Sequence, residues 1–599
     1  MSFVQTLLPN LKRALVFVWQ SSPVLTAASV VLVFVLGLLP LAGLYLIKLV
    51  VDAVSAATVA ADKAGALEQV VWLVLLSGGV ALLELLCTTV SGVVGTAHSQ
   101  LVTDRMQDLL HAKSIEVDLE YYENPQYYDT LHRAQQEAPF RPNRILHGLL
   151  QLGQSAVSLV AIVAVLVSFH WLVPVLLAAA AIPGLLVRFR HARKIYAWER
   201  ENTRLERQAS YFNWLLTRDT HAKEIRLFNL GRLFADRFRD LRAGLRRERL
   251  GLTTRRSVDE LITQSSAVVA AFGLYAFLAA RAAHGLVTLG ELVMFYQGVQ
   301  RGQSYLRQFL GSIARLYEDN LFLSNMYEFL NLRPKIVESR TPKSVRPLRE
   351  KGIVFDHVGF QYPLGDRKVL EDISLTIRPG EHIALVGENG AGKTTLVKLL
   401  CRLYDPTEGR ISLDGIDLRD LAIQDLRRNI SVILQDYARY HLTARDNIWL
   451  GNTDLEPGDG RVVEAAREAG AHDAIAGLKN GYDTILGKWF EKGEELSVGE
   501  WQKIALARAF LRRAQIMIMD EPTSSMDARA EYEVFEKFHE LARGRTVILI
   551  SHRLSTVRMA DRIYFLEGGR IVERGTHDEL LDRGGKYARL FEIQAQYYR

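Results

Sequence analysis

Cysteine is nearly absent from this sequence: 599 residues hold only Cys87 and Cys401. Two thiols cannot build a disulfide framework. One lies in a hydrophobic run and the other in a helix after a glycine-rich loop, so both read as buried packing residues. Charge is scarce in one half only. Almost all the long uncharged runs precede residue 300, and the remainder reads as an ordinary soluble α/β domain. One chain built for two solvents is therefore expected. A cleavable secretory signal is not evident either. Leu7 to Gln20, with Lys12 and Arg13, reads instead as an amphipathic helix on a membrane surface, within an N-terminal segment 1–22.

The formal net charge of +6 could point to nucleic acid, but its placement excludes that partner. Basic residues crowd particular loops between hydrophobic runs, as membrane topology requires. Val24 to Ile47 is uncharged and spans roughly 36 Å as a helix, enough for a hydrocarbon layer of ~30 Å. Val70 to Val94 is interrupted only by Glu84; Ile145 to Phe169 and Trp171 to Val187 form a tight pair around His170; Leu261 to Ala280 is a fifth run. One such run could be a buried core helix. Five in one chain predict a membrane domain.

After about Leu330 the composition changes, and Pro334, Pro342 and Pro347 mark a linker over 331–352. Val354 to Phe360 and His382 to Val386 read as strands. The second runs into Gly387-Glu388-Asn389-Gly390-Ala391-Gly392-Lys393-Thr394, followed by an apolar helix from Thr395 to Leu403. Strand, glycine loop and helix are the context a phosphate-binding loop needs. Its N–H groups and the helix dipole favour an anion, Lys393 reaches β- and γ-phosphates, and Thr394 ligates Mg²⁺. A second strand, Ile516 to Met519, ends in Asp520-Glu521. The first carboxylate can hold the Mg²⁺ water shell and the second can polarise an attacking water.

With these motifs in hand, residues 353 to 595 resemble the ATP-binding cassette of ABC transporters. The resemblance implies that Tyr362 stacks on adenine, with Thr395 closing the nucleotide loop. Gln435 matches the glutamine that contacts Mg²⁺ and senses the membrane domain. Leu496-Ser497-Val498-Gly499-Glu500 sits at the signature motif, ahead of a helix from Trp501 to Phe510. Asp527 matches the D-loop aspartate, and His552 the switch histidine on the γ-phosphate. Val498 and Glu500 depart from the family's Leu-Ser-Gly-Gly-Gln. A bulky Val498 weakens nucleotide sandwiching if its side chain faces the phosphate, and Glu500 needs distance or a cationic partner.

A cytoplasmic ATP domain requires an even number of spans. The sixth is expected near Leu289 to Leu310, despite Glu291, Arg301 and Arg307. The bias of Lys and Arg places the N-terminus inside. Gln297, Gln300, Arg301, Ser304 and Gln308 suggest either a wet cavity face or arginines snorkelling to headgroups; Glu84 carries the same ambiguity. Two helical excursions, Gly95 to Arg144 and Arg188 to Arg256, turn near Glu120–Asp129 and Leu216–Arg226.

The expected fold is an all-α transmembrane domain of six helices (residues 23–330) with long cytoplasmic extensions, followed by an α/β P-loop cassette (353–599). The resemblance implies an ATP-driven exporter in a bacterial inner membrane, using ATP and Mg²⁺. Its composite sites require a second half-transporter subunit, a homodimer or a heterodimer. Glu521 is the expected base. The run Tyr121-Tyr122-Glu123-Asn124-Pro125-Gln126-Tyr127-Tyr128-Asp129 and Trp501 to Leu506 look like exporters of bacteriocin or lantibiotic-type peptides. No N-terminal peptidase domain is expected. Lipids and amphipathic drugs remain alternative cargoes. An ATP-gated channel or regulatory subunit, and a soluble ABC ATPase on DNA or ribosomes, are alternative classes.

Overall fold

The computed structural model describes residues 13, 15–124, 131, 141–169, 171–284, 286–363, 365–521, 542–551 and 553–597. The chain divides into two compact units. One comprises Met1–Glu116 and Asp129–Leu332, the other Val117–Tyr128 and Arg333–Arg599.

Among the described residues, six long helices build the first unit: α1 (Pro23–Val59), α2 (Lys63–Glu116), α4 (Arg141–Phe169), α5 (Leu172–Thr217), α7 (Gly231–Ala283) and α8 (Leu289–Leu330). The short α3 (Leu119–Glu123) belongs to the second unit, and α6 (Asp219–Leu227) fills the turn expected near Leu216–Arg226. Five of the long helices are long and apolar enough to cross a membrane; α8 is the exception. At 1.5 Å per residue, the 46 residues of α5 and 53 of α7 run about 69 and 80 Å, more than twice a bilayer core. Their far ends therefore extend into water, as the predicted excursions require.

Local chemistry explains several helix ends. Ser22 caps α1 through its hydroxyl, which accepts from the Leu25 N–H at 3.3 Å, and Pro23 occupies the first turn where its missing N–H costs nothing. Glu291, a puzzle for a membrane span, closes a capping box with Thr288 and pairs with Lys48 of α1 at 3.0 Å. The bundle core joins Leu44, Ile162, Leu166, Val173, Leu274, Phe295 and Val299, with Phe169 edge-on to Phe295 at 5.0 Å between centroids. Cys401 is buried as expected, and burial pushes its thiol up to about 12; Cys87 is only partly buried, because its helix turns it toward the apolar surface.

Among the described residues, the second unit contains two sheets. An antiparallel one orders β2 (Leu370–Ile377), β1 (Ile353–Phe360), β4 (Glu408–Leu413) and β5 (Ile416–Asp417). The other orders β10 (Arg570–Gly575), β9 (Arg562–Glu567), β3 (His382–Gly387), β8 (Thr546–Ile550), β7 (Ile516–Asp520) and β6 (Ile430–Ile433). Strands β6, β7, β8, β3 and β9 are mutually parallel. Their ladders pair Leu385 and Asp520 each with Ile550, which brings the ends of β3 and β7 to one edge. Every residue of β7 and β8 is buried, the continuous apolar pattern of a parallel sheet covered on both faces. Helix α9 (Lys393–Leu400) follows β3, and α10 (Val498–Leu511) precedes β7.

Candidate nucleotide site

The loop between β3 and α9 depends on glycine at two places. Gly387 has φ +152°, and a Cβ there would come within 2.1 Å of the Leu566 carbonyl oxygen. Gly392 caps α9 at φ +102°, where a Cβ would meet Leu370 at 2.5 Å. Glu388, Asn389 and Gly390 stand exposed, whereas Ala391, Lys393 and Thr395 are buried. The expected helix start at Thr395 is corrected: α9 begins at Lys393, since the left-handed Gly392 already turns the chain into it. The Lys393 ammonium lies back across the loop, donating to the carbonyls of Gly387 at 2.7 Å and Glu388 at 2.9 Å. Burial holds its pKa below the usual lysine range, against the pull of Glu521 and Asp520.

Three polar side chains converge from the neighbouring strand ends. Thr394 Oγ1 donates to Asp520 Oδ2 at 2.9 Å, and Gln435 Nε2 donates to Glu521 Oε2 at 3.0 Å. The second pairing follows from register: Ile433 of β6 faces Met519 of β7, and Gln435 and Glu521 each lie two residues further on. Burial raises the Asp520 carboxyl above the ordinary range; the hydrogen bond from Thr394 opposes this. Glu521 sits at φ +49°, a left-handed backbone uncommon without glycine and costing about 1–3 kcal/mol. Its N–H is held by the Ile550 carbonyl at 2.9 Å. Asp527 and His552 lie outside the described residues; β8 ends at Ile550, two positions before His552.

Tyr362 is part of an aromatic group. Its ring meets Phe360 at 4.9 Å and Tyr404 at 5.4 Å, both edge-on, and its hydroxyl hydrogen-bonds Thr395 Oγ1 at 3.1 Å. Tyr404 had no sequence motif to mark it. Its only signal was an aromatic residue shortly after the helix of the phosphate loop.

The signature segment has a different architecture from the one expected. α10 starts at Val498, not Trp501, because Ser497 and Glu500 form a capping box. The Ser497 N–H donates to Glu500 Oε2 at 2.8 Å, and the Glu500 N–H to Ser497 Oγ at 3.3 Å. The backbone N–H of Ser497 and the helix dipole thus accommodate the charge of Glu500 within its own subunit. Val498 is half exposed and has no left-handed backbone, so glycine's conformational freedom is not required there. Leu496 is buried beside Trp501, anchoring the segment in its own apolar cluster, while Gly499 lies in the first helical turn.

Arg301 donates to the Pro40 carbonyl at 3.1 Å, and Gln297 and Glu84 are partly buried. A cavity between α5, α7 and α8 is lined instead by Leu177, Arg188, Glu260, Gln264 and Gln303, among others. Glu260 there is paired with Arg256 at 3.1 Å and Arg188 at 3.5 Å. Gln264 and Gln303 were readable as polar breaks in apolar runs.

Residues 370–524 match the family described as ABC transporter, and residues 26–300 match the ABC transporter transmembrane region. The chain is 32% identical to the subtilin transport ATP-binding protein of Bacillus subtilis over 483 residues, 80% of this chain and 78% of that protein. It is 42% identical to the ATP-dependent lipid A-core flippase of Syntrophus aciditrophicus (strain SB) over 321 residues, 50% and 52% of the two chains. Its fold superposes with a TM-score of 0.78 on a bacterial Atm1-family ABC exporter solved with ATP bound, at 24% identity and 98% coverage of both chains. A nucleotide-binding unit of strands and a glycine loop, fused to apolar helices and matched along most of its length, makes this chain a multi-pass membrane protein of the ABC transporter family, an exporter-type half-transporter that couples ATP hydrolysis to transport.

Proposed function

We propose that the chain exports a peptide from the cytoplasm by alternating access, hydrolysing ATP at two composite sites of a homodimer. The observation that carries the hydrolytic part is the convergence of Lys393, Thr394, Asp520, Gln435 and Glu521 at one sheet edge. Gly387 to Thr395 cradle the phosphates, and Tyr362 stacks on the base. Thr394, Gln435 and Asp520 offer hard oxygen donors, and among the described residues no cluster of three or more His, Cys, Asp or Glu exists. That sparse oxygen set fits Mg²⁺, which prefers few protein ligands together with phosphates and water. Mg²⁺ held by Thr394, Gln435 and Asp520 would supply positive charge against the phosphates.

Glu521 takes the proton of the attacking water and His552 contacts the γ-phosphate. The strained backbone at Glu521 supports this assignment, since it turns the carboxylate toward Gln435 and within electrostatic reach of Lys393. The signature, Leu496 to Glu500, serves the partner's nucleotide, and Asp527 stands at the sequence position of the D-loop aspartate. Residues 23–330 form the membrane domain, 331–352 the linker and 353–599 the cassette, with the N-terminus and cassette on the cytoplasmic side of the inner membrane. The basic residues that follow the fourth span, Arg188, Arg190, Arg193 and Lys194, support that orientation.

Peptide cargo is favoured because the subtilin transporter aligns over both halves of the chain, whereas the lipid A-core flippase aligns over half of it. Glu84, Gln297 and Arg301 are assigned to the translocation path. ATPase stimulation and uptake into inverted vesicles, measured across peptide, lipid and drug panels, test the cargo. Stimulation and uptake by peptides support the reading; a response confined to lipids would replace it with a flippase.

A further inference from the structure

α3 sits beside the aromatic group that holds Tyr362. Its residue Glu123 uses both carboxylate oxygens there: Oε1 accepts from Lys398 Nζ at 2.7 Å, and Oε2 from the Tyr404 hydroxyl at 2.6 Å. Lys398 is placed in turn over two rings, 5.4 Å from the Tyr362 centroid and 5.9 Å from that of Tyr404. Tyr404 is buried, and burial followed by the Glu123 hydrogen bond pushes its hydroxyl above the usual phenol range, so it remains a donor. The same helix is tied on its other side. Asp118 accepts from the backbone of Lys335 and Ile336, Lys335 pairs with Glu120 at 2.6 Å, and Tyr121 donates to the Arg333 carbonyl at 2.9 Å.

A carboxylate anchoring both a cation above a ring and a phenol packed on its edge fixes that ring's tilt and charge environment. Without Glu123, Lys398 is free to leave the ring face for water, and Tyr404 loses its acceptor. We infer that Glu123 is a positioning residue for the base platform, acting on Tyr362 through Lys398 and Tyr404. Affinity for the purine ring is thereby set by a residue in the segment that continues directly from the second membrane helix, α2. The inference rests on the reading of Tyr362 as the base platform and adds a residue that none of the nucleotide-binding motifs contains.

The test uses the full-length protein in lipid nanodiscs. Glu123→Gln preserves shape and an acceptor for Tyr404 but removes the charge that holds Lys398. It should raise KM for ATP about three- to tenfold, the range expected for a lost charged and cation–π contact, and change kcat less. Competitive inhibition by ribose 5-triphosphate, which lacks a base, should shift less than about twofold, because phosphate contacts are untouched. Lys398→Met should reproduce the pattern, and in a Tyr362→Ala background Glu123→Gln should add nothing further. An unmoved KM in both variants, equal weakening of ribose triphosphate, or full additivity with Tyr362→Ala would each overturn the inference. If Tyr362→Ala itself leaves KM unchanged, the platform reading fails as well. A strong Tyr362→Ala effect beside a silent Glu123→Gln rejects only the role of Glu123.

Discussion

The cassette and the membrane helices use polar residues in opposite ways. In the cassette, polar side chains sit at strand ends and one glycine loop, where backbone register brings them together. Asp520 is buried at 2% exposure and still meets Thr394, because its strand delivers it there. In the helical unit, polar groups are spread along helices of up to 54 residues and are answered one at a time. Glu291 closes a cap, Arg301 finds a carbonyl, and Glu260 holds two arginines. Convergence marks chemistry and dispersal marks solvation. The phosphate site is therefore fixed by a few short motifs, while the path for cargo is not.

The largest expected effect breaks the cassette's convergence. Glu521→Gln should lower steady-state ATP hydrolysis by at least about 10²-fold while ATP still drives cassette closure, followed by cysteine crosslinking across the dimer. Near-normal turnover would remove Glu521 as the base. A smaller effect belongs to Thr394→Val, which keeps volume but removes the hydroxyl between Asp520 and the proposed metal. Its Mg²⁺ requirement should rise about tenfold in ATPase titrations, a typical cost for losing one ligand-orienting contact.

In the helical unit the comparison is sharpened by packing rather than chemistry. A Cβ on Gly290 would lie 2.4 Å from the Lys48 carbonyl oxygen and 2.5 Å from Asp52 Oδ1, whereas Gly43 has nothing within 4 Å. Gly290→Ala should therefore destabilise the helical unit by about 1–3 kcal/mol and lower its thermal midpoint in detergent. Gly43→Ala should be close to neutral. The smallest effect is expected at the signature. Glu500→Gln keeps the capping box and should alter stability by less than about 0.5 kcal/mol, but Glu500→Ala should cost about 1 kcal/mol in urea denaturation.

The sequence made the cassette readable because its function depends on residues that also dictate backbone shape. Gly392 must be left-handed, and Lys393 follows it; reading one finds the other. Five membrane helices were equally legible from length and apolarity. α8 was legible only through the parity of spans, which predicted it near Leu289 to Leu310, since its charges are answered by partners such as Lys48, over two hundred positions away. The capping role of Glu500 went unread for a related reason. Its partner is the backbone of Ser497, three residues back, and a charge considered alone suggests a need for a cation. Tyr404 escaped notice, and Glu123 was noticed only as part of a run resembling peptide exporters, because their role arises only from three-dimensional contact.

The account stands most directly on ATP-driven accumulation. Inverted membrane vesicles containing the protein should concentrate a labelled peptide substrate above its external level when MgATP is supplied. Vesicles containing Glu521→Gln should show no accumulation. Equal accumulation by the variant, or mere equilibration by the unsubstituted protein, would contradict export powered by hydrolysis at Glu521.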